Sequence, residues 1–156
     1  VSAAARAWAL AGVLCAVVVA ADQAAKARIE ATIFPGQEVD VLGPLKLTLA
    51  HNTGVAFGLA GGAGTGLVLV TAAALALIGY LFARDPERRG MWVAVGLLAG
   101  GAIGNLIDRV TSDAVTDFID IGSWPPFNLA DIAITAGVVL MVLIYLRDIE
   151  PEVEGG

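Results

Sequence analysis

Four apolar stretches free of charged residues dominate this chain and leave few folds open to it. Ala7–Ala21, Gly66–Ala83, Gly90–Ile107 and Ile132–Leu146 are 15, 18, 18 and 15 residues long. A helix needs roughly 20 mostly apolar residues to cross the hydrocarbon core of a bilayer. The middle two runs nearly suffice. The outer two span only if their helices carry flanking polar residues into the membrane boundary, which puts Asp22 and Asp131 where a carboxylate is costly and usually functional. Only 15% of the chain is charged, against about 25% in ordinary soluble domains, so the apolar surface is expected to face lipid. The first run also fits the h-region of a signal peptide, but three further spans favour a retained helix. The expected fold is a mostly α membrane protein, a four-transmembrane-helix bundle in one integral membrane domain over 1–156. Its spans are placed at about 7–25, 64–83, 90–107 and 131–147.

Positive charge orients such a bundle. The turn from Arg84 to Arg89 holds three arginines, and with Arg6 and Arg147 it gathers five of the nine Lys and Arg residues at one end. That end, with both termini, is expected in the cytoplasm, and the long connections at the outer face. Within the outer region, about 33–57, Glu38–Leu42 and Leu45–Leu49 alternate about a Gly43-Pro44 turn and read as two strands of a small extracytoplasmic β-sheet. Glycines between Gly58 and Gly66 suggest a flexible entry to the second span, and the acidic segment 148–156 reads as a disordered tail.

Composition narrows the chemistry. A net charge of −6 argues against nucleic-acid binding. One cysteine, Cys15, and one histidine, His51, supply neither a disulfide nor a zinc site, so no metal or other cofactor is expected. The uncommon polar residues instead gather at the outer end: Asp22, Lys26, Asn52, Asn105, Asp108, Arg109, Asp117, Asp120, Asn128 and Asp131. Two adjacent carboxylates cannot both ionise cheaply, so one keeps a proton and the pair can serve as general acid and base. Structural roles compete for each residue. Asp131 precedes an apolar helix, where Asp is a favoured N-cap. Asp108 and Arg109 read as an interfacial ion pair. Asp22 and Lys26, four apart on a helix face, can neutralise each other. Gly96, Gly100, Gly101 and Gly104 suit close helix packing. Trp124 reads as an interfacial anchor, while Phe57 and Phe118 fit either a lipid-facing pocket or loop anchors. By itself this reading reaches a membrane protein with an outward carboxylate cluster.

Five ordered blocks carry the reading further. They are Asp22-Gln23-x-x-Lys26, Asn52-Thr-Gly54-Val-Ala56-Phe57-Gly58, Gly100-Gly-Ala-Ile-Gly104-Asn105-Leu-Ile-Asp108-Arg109, Val115-Thr-Asp117-Phe118-Ile-Asp120 and Phe127-Asn128-Leu-Ala130-Asp131. In this order the sequence resembles the lipoprotein signal peptidase family, also called signal peptidase II. The resemblance implies a four-helix membrane aspartyl endopeptidase in the bacterial inner membrane, inhibited by globomycin. Its implied substrates are diacylglyceryl-modified prolipoproteins, cleaved just before the lipidated cysteine. Such hydrolysis needs water at the membrane surface, which adds the expectation of a polar cavity open to the outer face. It places the catalytic pair on Asp117 and Asp131, with Asp120 the nearest rival to Asp117. Asn52, Gly54, Asn105, Asp108, Arg109, Asn128 and Ala130 fall on positions that frame the site, and Asp22 and Lys26 on a supporting pair. Membrane lipid is the expected surrounding, and a monomer the expected state. The chief alternative is a small proton- or ion-coupled transporter using the same carboxylates, which would show polar residues on both sides of the midplane and repeated halves. A non-catalytic assembly factor, with carboxylates that only bind partner helices, is a third.

Overall fold

The computed structural model describes residues 1–54 and 63–147. Val55, Ala56, Phe57 and Gly58 of the second block, and the acidic segment 148–156, lie outside the described residues. Within them the chain runs α1 (Ala3–Thr32), β1 (Val39–Leu42), β2 (Leu45–Asn52), α2 (Ala63–Arg84), α3 (Met91–Ser112), β3 (Val115–Asp120) and α4 (Leu129–Arg147). All four helices are long and apolar enough to cross a membrane. Their flanks expose large apolar side chains such as Val13 (64%), Leu69 (65%) and Val139 (53%), a surface that water would not support and lipid does.

Two helices exceed the spans expected from charge-free runs. α1 holds 30 residues, about 45 Å at 1.5 Å per residue, well beyond a hydrocarbon core of about 30 Å. It starts where Ser2 Oγ accepts the Ala5 N–H at 3.1 Å, an N-cap bond, and continues through Asp22 and Lys26 because both find tertiary partners. α3 likewise runs on through Asp108 and Arg109 to Ser112. Of the glycines expected to form a flexible entry to the second span, Gly64 and Gly66 lie in α2, and Gly58, Gly61 and Gly62 lie outside the described residues.

α3 is the hub. It packs against α1 on one side and α4 on the other, and α2 leans chiefly on α3. Glycines make this possible. A Cβ on Gly96 would sit 2.9 Å from Leu14 Cβ, and one on Gly100 would sit 2.7 Å from Val18 Cβ, both on α1. A Cβ on Gly101 would strike the Ala130 carbonyl oxygen of α4. Small residues let backbones approach this closely, which is how helices associate where no water drives them together.

The sheet has three strands rather than two, in the order β1-β2-β3, all antiparallel. β3 pairs with β2 in a register that sets Ala50 against Asp117 and Lys46 against Asp120. Beneath it, Ile29 and Ile33 from the end of α1 pack with Leu49 and Phe118, so Phe118 anchors its strand rather than lining a lipid-facing pocket. A second apolar cluster, including Ala7, Phe82, Met91, Val95 and Ile144, closes the arginine-rich end. The buried polar residues lie between these two clusters.

Candidate active site

The polar centre is built outwards from Lys26. Its ammonium lies 2.7 Å from Asp22 Oδ2 and 2.7 Å from Asp108 Oδ2, with all three side chains nearly inaccessible. It also donates to Asn105 Oδ1 at 3.1 Å. Burying three charges is tolerable only when their remaining valences are filled. Here they are. Gln23 Nε2 donates to Asp108 Oδ1 at 2.8 Å and to the Gly104 carbonyl at 3.2 Å, and the Thr116 N–H donates to Asp108 Oδ2 at 3.3 Å. Asp22 Oδ1 accepts the Ala130 N–H at 3.0 Å. Asp22 and Lys26 therefore do more than neutralise each other, and Asp108 pairs with Lys26 rather than Arg109. Among the described residues no buried side-chain nitrogen or oxygen lacks a hydrogen-bond partner.

Asn128 connects this scaffold to the two remaining carboxylates. Its Oδ1 accepts the Asp131 N–H at 3.0 Å, while Asp131 Oδ2 accepts the Asn128 N–H at 3.3 Å. That reciprocal pair is a capping box, with Asn128 as N-cap and Asp131 at the third helical position. The expectation of Asp131 as the N-cap is corrected by three residues, although one of its oxygens does serve the cap. Its other oxygen, Oδ1, accepts from Asn105 Nδ2 at 2.8 Å. The Asn128 side-chain amide meanwhile donates to Asp117 Oδ1 at 2.7 Å, Asn105 Oδ1 at 3.1 Å and the Thr116 carbonyl at 3.3 Å. One fully buried amide thus ties Asp117 to the helix turn that carries Asp131.

Asp117 is 3% exposed in the strand that pairs with β2. Asn52, at the end of β2, donates Nδ2 to its Oδ2 at 3.2 Å. Burial raises the Asp117 carboxyl from 3.8 to about 6; the hydrogen bond from Asn52 opposes the rise, the nearby Asp131 charge adds to it, and Asn128 and Lys26 oppose it. Asp120 is placed differently: its Oδ1 accepts the Gly122 N–H at 2.6 Å in the turn after the strand. Gly54 is buried at φ +71, where any side chain would be strained and would meet Leu67. Its N–H donates to Asn52 Oδ1 at 3.0 Å, so it holds Asn52 rather than presenting a group of its own. Arg109 is half-buried, with Nη1 3.4 Å from the Asn105 carbonyl.

Among the described residues, two cavities reach Asp131. One, of about 480 Å³, runs along the 132–135–136 face of α4 beside Trp124 and Phe127. The other, of about 440 Å³, lies between α2, α3 and α4, with Val70, Ile78, Leu98 and Val138 among its walls and Thr71, Asn105, Arg109 and Asp131 as its polar contacts. Against the expectation of a polar cavity, the walls of both spaces among the described residues are mostly apolar, with Trp124, Phe127, Ile132 and Ala136 around one and side chains of α2, α3 and α4 around the other. His51 is exposed on β2, and no group of three or more His, Cys, Asp or Glu residues able to hold a metal ion occurs among the described residues.

Three contributors to the centre were not singled out from sequence. Gln23 lies beside Asp22, Thr116 beside Asp117, and Glu30 Oε1 accepts from Thr116 Oγ1 at 2.6 Å. The first two stand inside the motif blocks, and that position was their only signal.

Four apolar helices around a buried polar centre define a multi-pass membrane protein, and a solved structure agrees. A bacterial membrane enzyme superposes with a TM-score of 0.84 at 35% identity, covering 88% of this chain and 93% of its own. The family model for signal peptidase (SPase) II matches residues 14–147. The lipoprotein signal peptidase of Pelotomaculum thermopropionicum is 40% identical over 139 residues, 87% of this chain and 91% of its own length. That of Azoarcus is 40% identical over 152 residues, 92% and 86%. The chain belongs to the signal peptidase II family, and so is a peptidase.

Proposed function

We propose that this peptidase removes the signal peptide from diacylglyceryl-modified prolipoproteins in the bacterial inner membrane, with Asp117 and Asp131 activating the attacking water. The observation that carries the mechanism is Asn128, which holds both carboxylates in one hydrogen-bonded unit. Two carboxylates that share a site hold one proton between them, and the titration belongs to the pair. The elevated Asp117 carboxyl favours that proton. The charged member takes a proton from water as it attacks the scissile carbonyl; the protonated member polarises that carbonyl, and the leaving amine is protonated as the C–N bond breaks. Lys26, between Asp22 and Asp108, keeps Asn105 oriented towards Asp131 without approaching the substrate itself.

The apolar cavities support the substrate class. A signal segment and a diacylglyceryl group are both lipid-soluble, and each buried methylene of an acyl chain contributes roughly 0.8 kcal/mol. Two apolar recesses meeting at Asp131 suit a substrate that arrives from the membrane plane with its peptide bond leading. The positive-inside reading then sets the carboxylates at the outer face, and globomycin is expected to compete there.

Purified protein in detergent, given a diacylglyceryl-modified prolipoprotein, is expected to release the signal peptide. Asp117→Asn and Asp131→Asn are each expected to lower kcat about 1,000-fold, on the order of a lost general acid or base, while melting cooperatively. A folded Asp131→Asn that still cleaves at the wild-type rate would sink the mechanism. Loss in Asp131→Asn but not Asp117→Asn would redirect the pairing to Asp120.

A further inference from the structure

β3 carries Asp117 on one face and two anchoring side chains on the other. Successive side chains of a strand point to opposite faces, so Thr116 and Phe118 share a face and Asp117 takes the opposite one, towards Asn52 and Asn128. Phe118 packs on Ile29 and Ile33 at the end of α1. Thr116 is buried, and its hydroxyl donates to Glu30 Oε1, next to Ile29, at 2.6 Å, within the range for a hydroxyl bound to a carboxylate. The two anchors differ in kind. An apolar contact is non-directional, so Phe118 sets how close β3 lies to α1 and leaves the strand free to slide. A hydrogen bond fixes direction as well as distance.

Thr116 is held from three elements at once. Its N–H donates to Asp108 of α3 at 3.3 Å, its carbonyl accepts from Asn128 at 3.3 Å, and its hydroxyl makes the shorter bond to Glu30 of α1. Asp108 and Asn128 each have further partners in the polar centre. The Glu30 side chain makes no other hydrogen bond or ion pair among the described residues. Nor does its own helix give a reason for it. An acidic side chain in the last turn opposes the helix dipole, and the last turn of α1 holds no basic residue. We propose that Glu30 is a positioning residue for the peptidase reaction: through Thr116 it holds β3 in register along the end of α1, and so sets where Asp117 stands relative to Asp131. This inference rests on Asp117 belonging to the working pair. Glu30 needs no contact with substrate to act in this way, because a displacement of about 1 Å in a reacting group can cost about 100-fold in rate.

The test measures kcat and KM of the full chain on a diacylglyceryl-modified prolipoprotein, well below each variant's Tm. Glu30 is exposed and water competes for its bond, so Glu30→Ala is expected to lower kcat about tenfold rather than 100-fold, with KM unchanged. Thr116→Val, which keeps the shape and removes the hydroxyl, is expected to do the same. The double variant is expected to be no slower than the worse single one, since both remove one bond. Glu30→Gln and Thr116→Ser, which keep an acceptor and a donor, are expected to retain kcat within about twofold. Glu38→Ala, which takes a carboxylate from the neighbouring pair with Lys46, is expected to leave kcat unchanged. Wild-type kcat in Glu30→Ala beside an inactive Asp117→Asn would overturn this inference and leave the proposed pair standing. Additive losses in the double variant, a change confined to KM, or a Glu30→Gln as slow as Glu30→Ala would overturn it as well. Wild-type cleavage by a folded Asp117→Asn would overturn both. Should Thr116→Val fail to fold, Glu30→Ala against Glu30→Gln decides, at a position on the surface.

Discussion

Asp117 is held in a form that costs the folded state something. Its carboxyl titrates near 6 rather than 3.8, so folding favours the neutral acid. The stabilisation from that preference is complete below about pH 4 and is lost as pH rises through about 6. A rise of about two pKa units corresponds to about 3 kcal/mol at most. The wild-type protein is therefore expected to melt progressively lower between pH 4 and pH 7, and Asp117→Asn to lack that component of the slope; parallel slopes in thermal melts would refute the assignment. Part of this chemistry is legible in the sequence. The ten uncommon polar residues at one end stand out as a set, because charge between apolar runs is conspicuous. Which atom meets which does not. Asp131 reads as a cap because it abuts the charge-free run, although Asn128, three residues earlier, is an equally favoured N-cap type. Asp108 stands next to Arg109, yet Lys26, 82 positions earlier in the chain, reaches it at 2.7 Å. Sequence adjacency says little about partners across a helix interface.

Helix packing depends on where α3 lacks side chains. A Cβ at Gly104 would stand 2.8 Å from Asp22 Oδ2, the carboxylate that holds both Lys26 and the first turn of α4. Gly104→Ala is expected to destabilise the protein by about 1–3 kcal/mol, as overpacking does, and to reduce activity by disturbing that carboxylate. Gly12, on the lipid-facing side of α1, has nothing within 4 Å of where an added Cβ would stand, so Gly12→Ala is expected to be neutral or slightly stabilising. Paired melting curves compare the two; similar losses at both sites would mean that close approach at Gly104 is not what matters. The helices themselves are readable from charge-free runs, but α1 and α3 outrun them because such a run stops at the first charged residue. Tertiary partners carry both helices past it. β3 escapes for a different reason. Its first four residues, Val115 to Phe118, are all buried, so no inside–outside alternation marks it as a strand.

The whole molecule is polarised along its length, with arginines at one end, buried carboxylates towards the other and apolar flanks between. The positive-inside reading turns that polarity into an orientation. In intact cells carrying a Cys15→Ala background, Asn52→Cys is expected to react with a membrane-impermeant maleimide, and Asp85→Cys, in the arginine turn, only after permeabilisation. The reverse pattern would invert the proposed topology. Four spans and their polarity are legible because bilayer thickness imposes a length scale on sequence. The apolar character of the space beside Asp131 is not, since its walls come from segments far apart in sequence, Val70 and Ile78 of α2, Leu98 of α3 and Val138 of α4 among them, and spacing along the chain does not encode that meeting.

The hydrogen bond from Ala130 to Asp22 joins residues 108 positions apart, and the capping box at Asn128 belongs to the latest of the four helices to be synthesised. A nascent chain owns Asp22, Lys26 and Asn105 early, and Asp117 before α4 exists. Until that fourth helix inserts, Asp117 has no Asn128 to hold it and no second carboxylate beside it. If the proposed pair does the chemistry, order of synthesis works as a safety catch: the protease is armed only by its fourth span, and a copy still lacking that span in the translocation machinery has no pair with which to cut its neighbours.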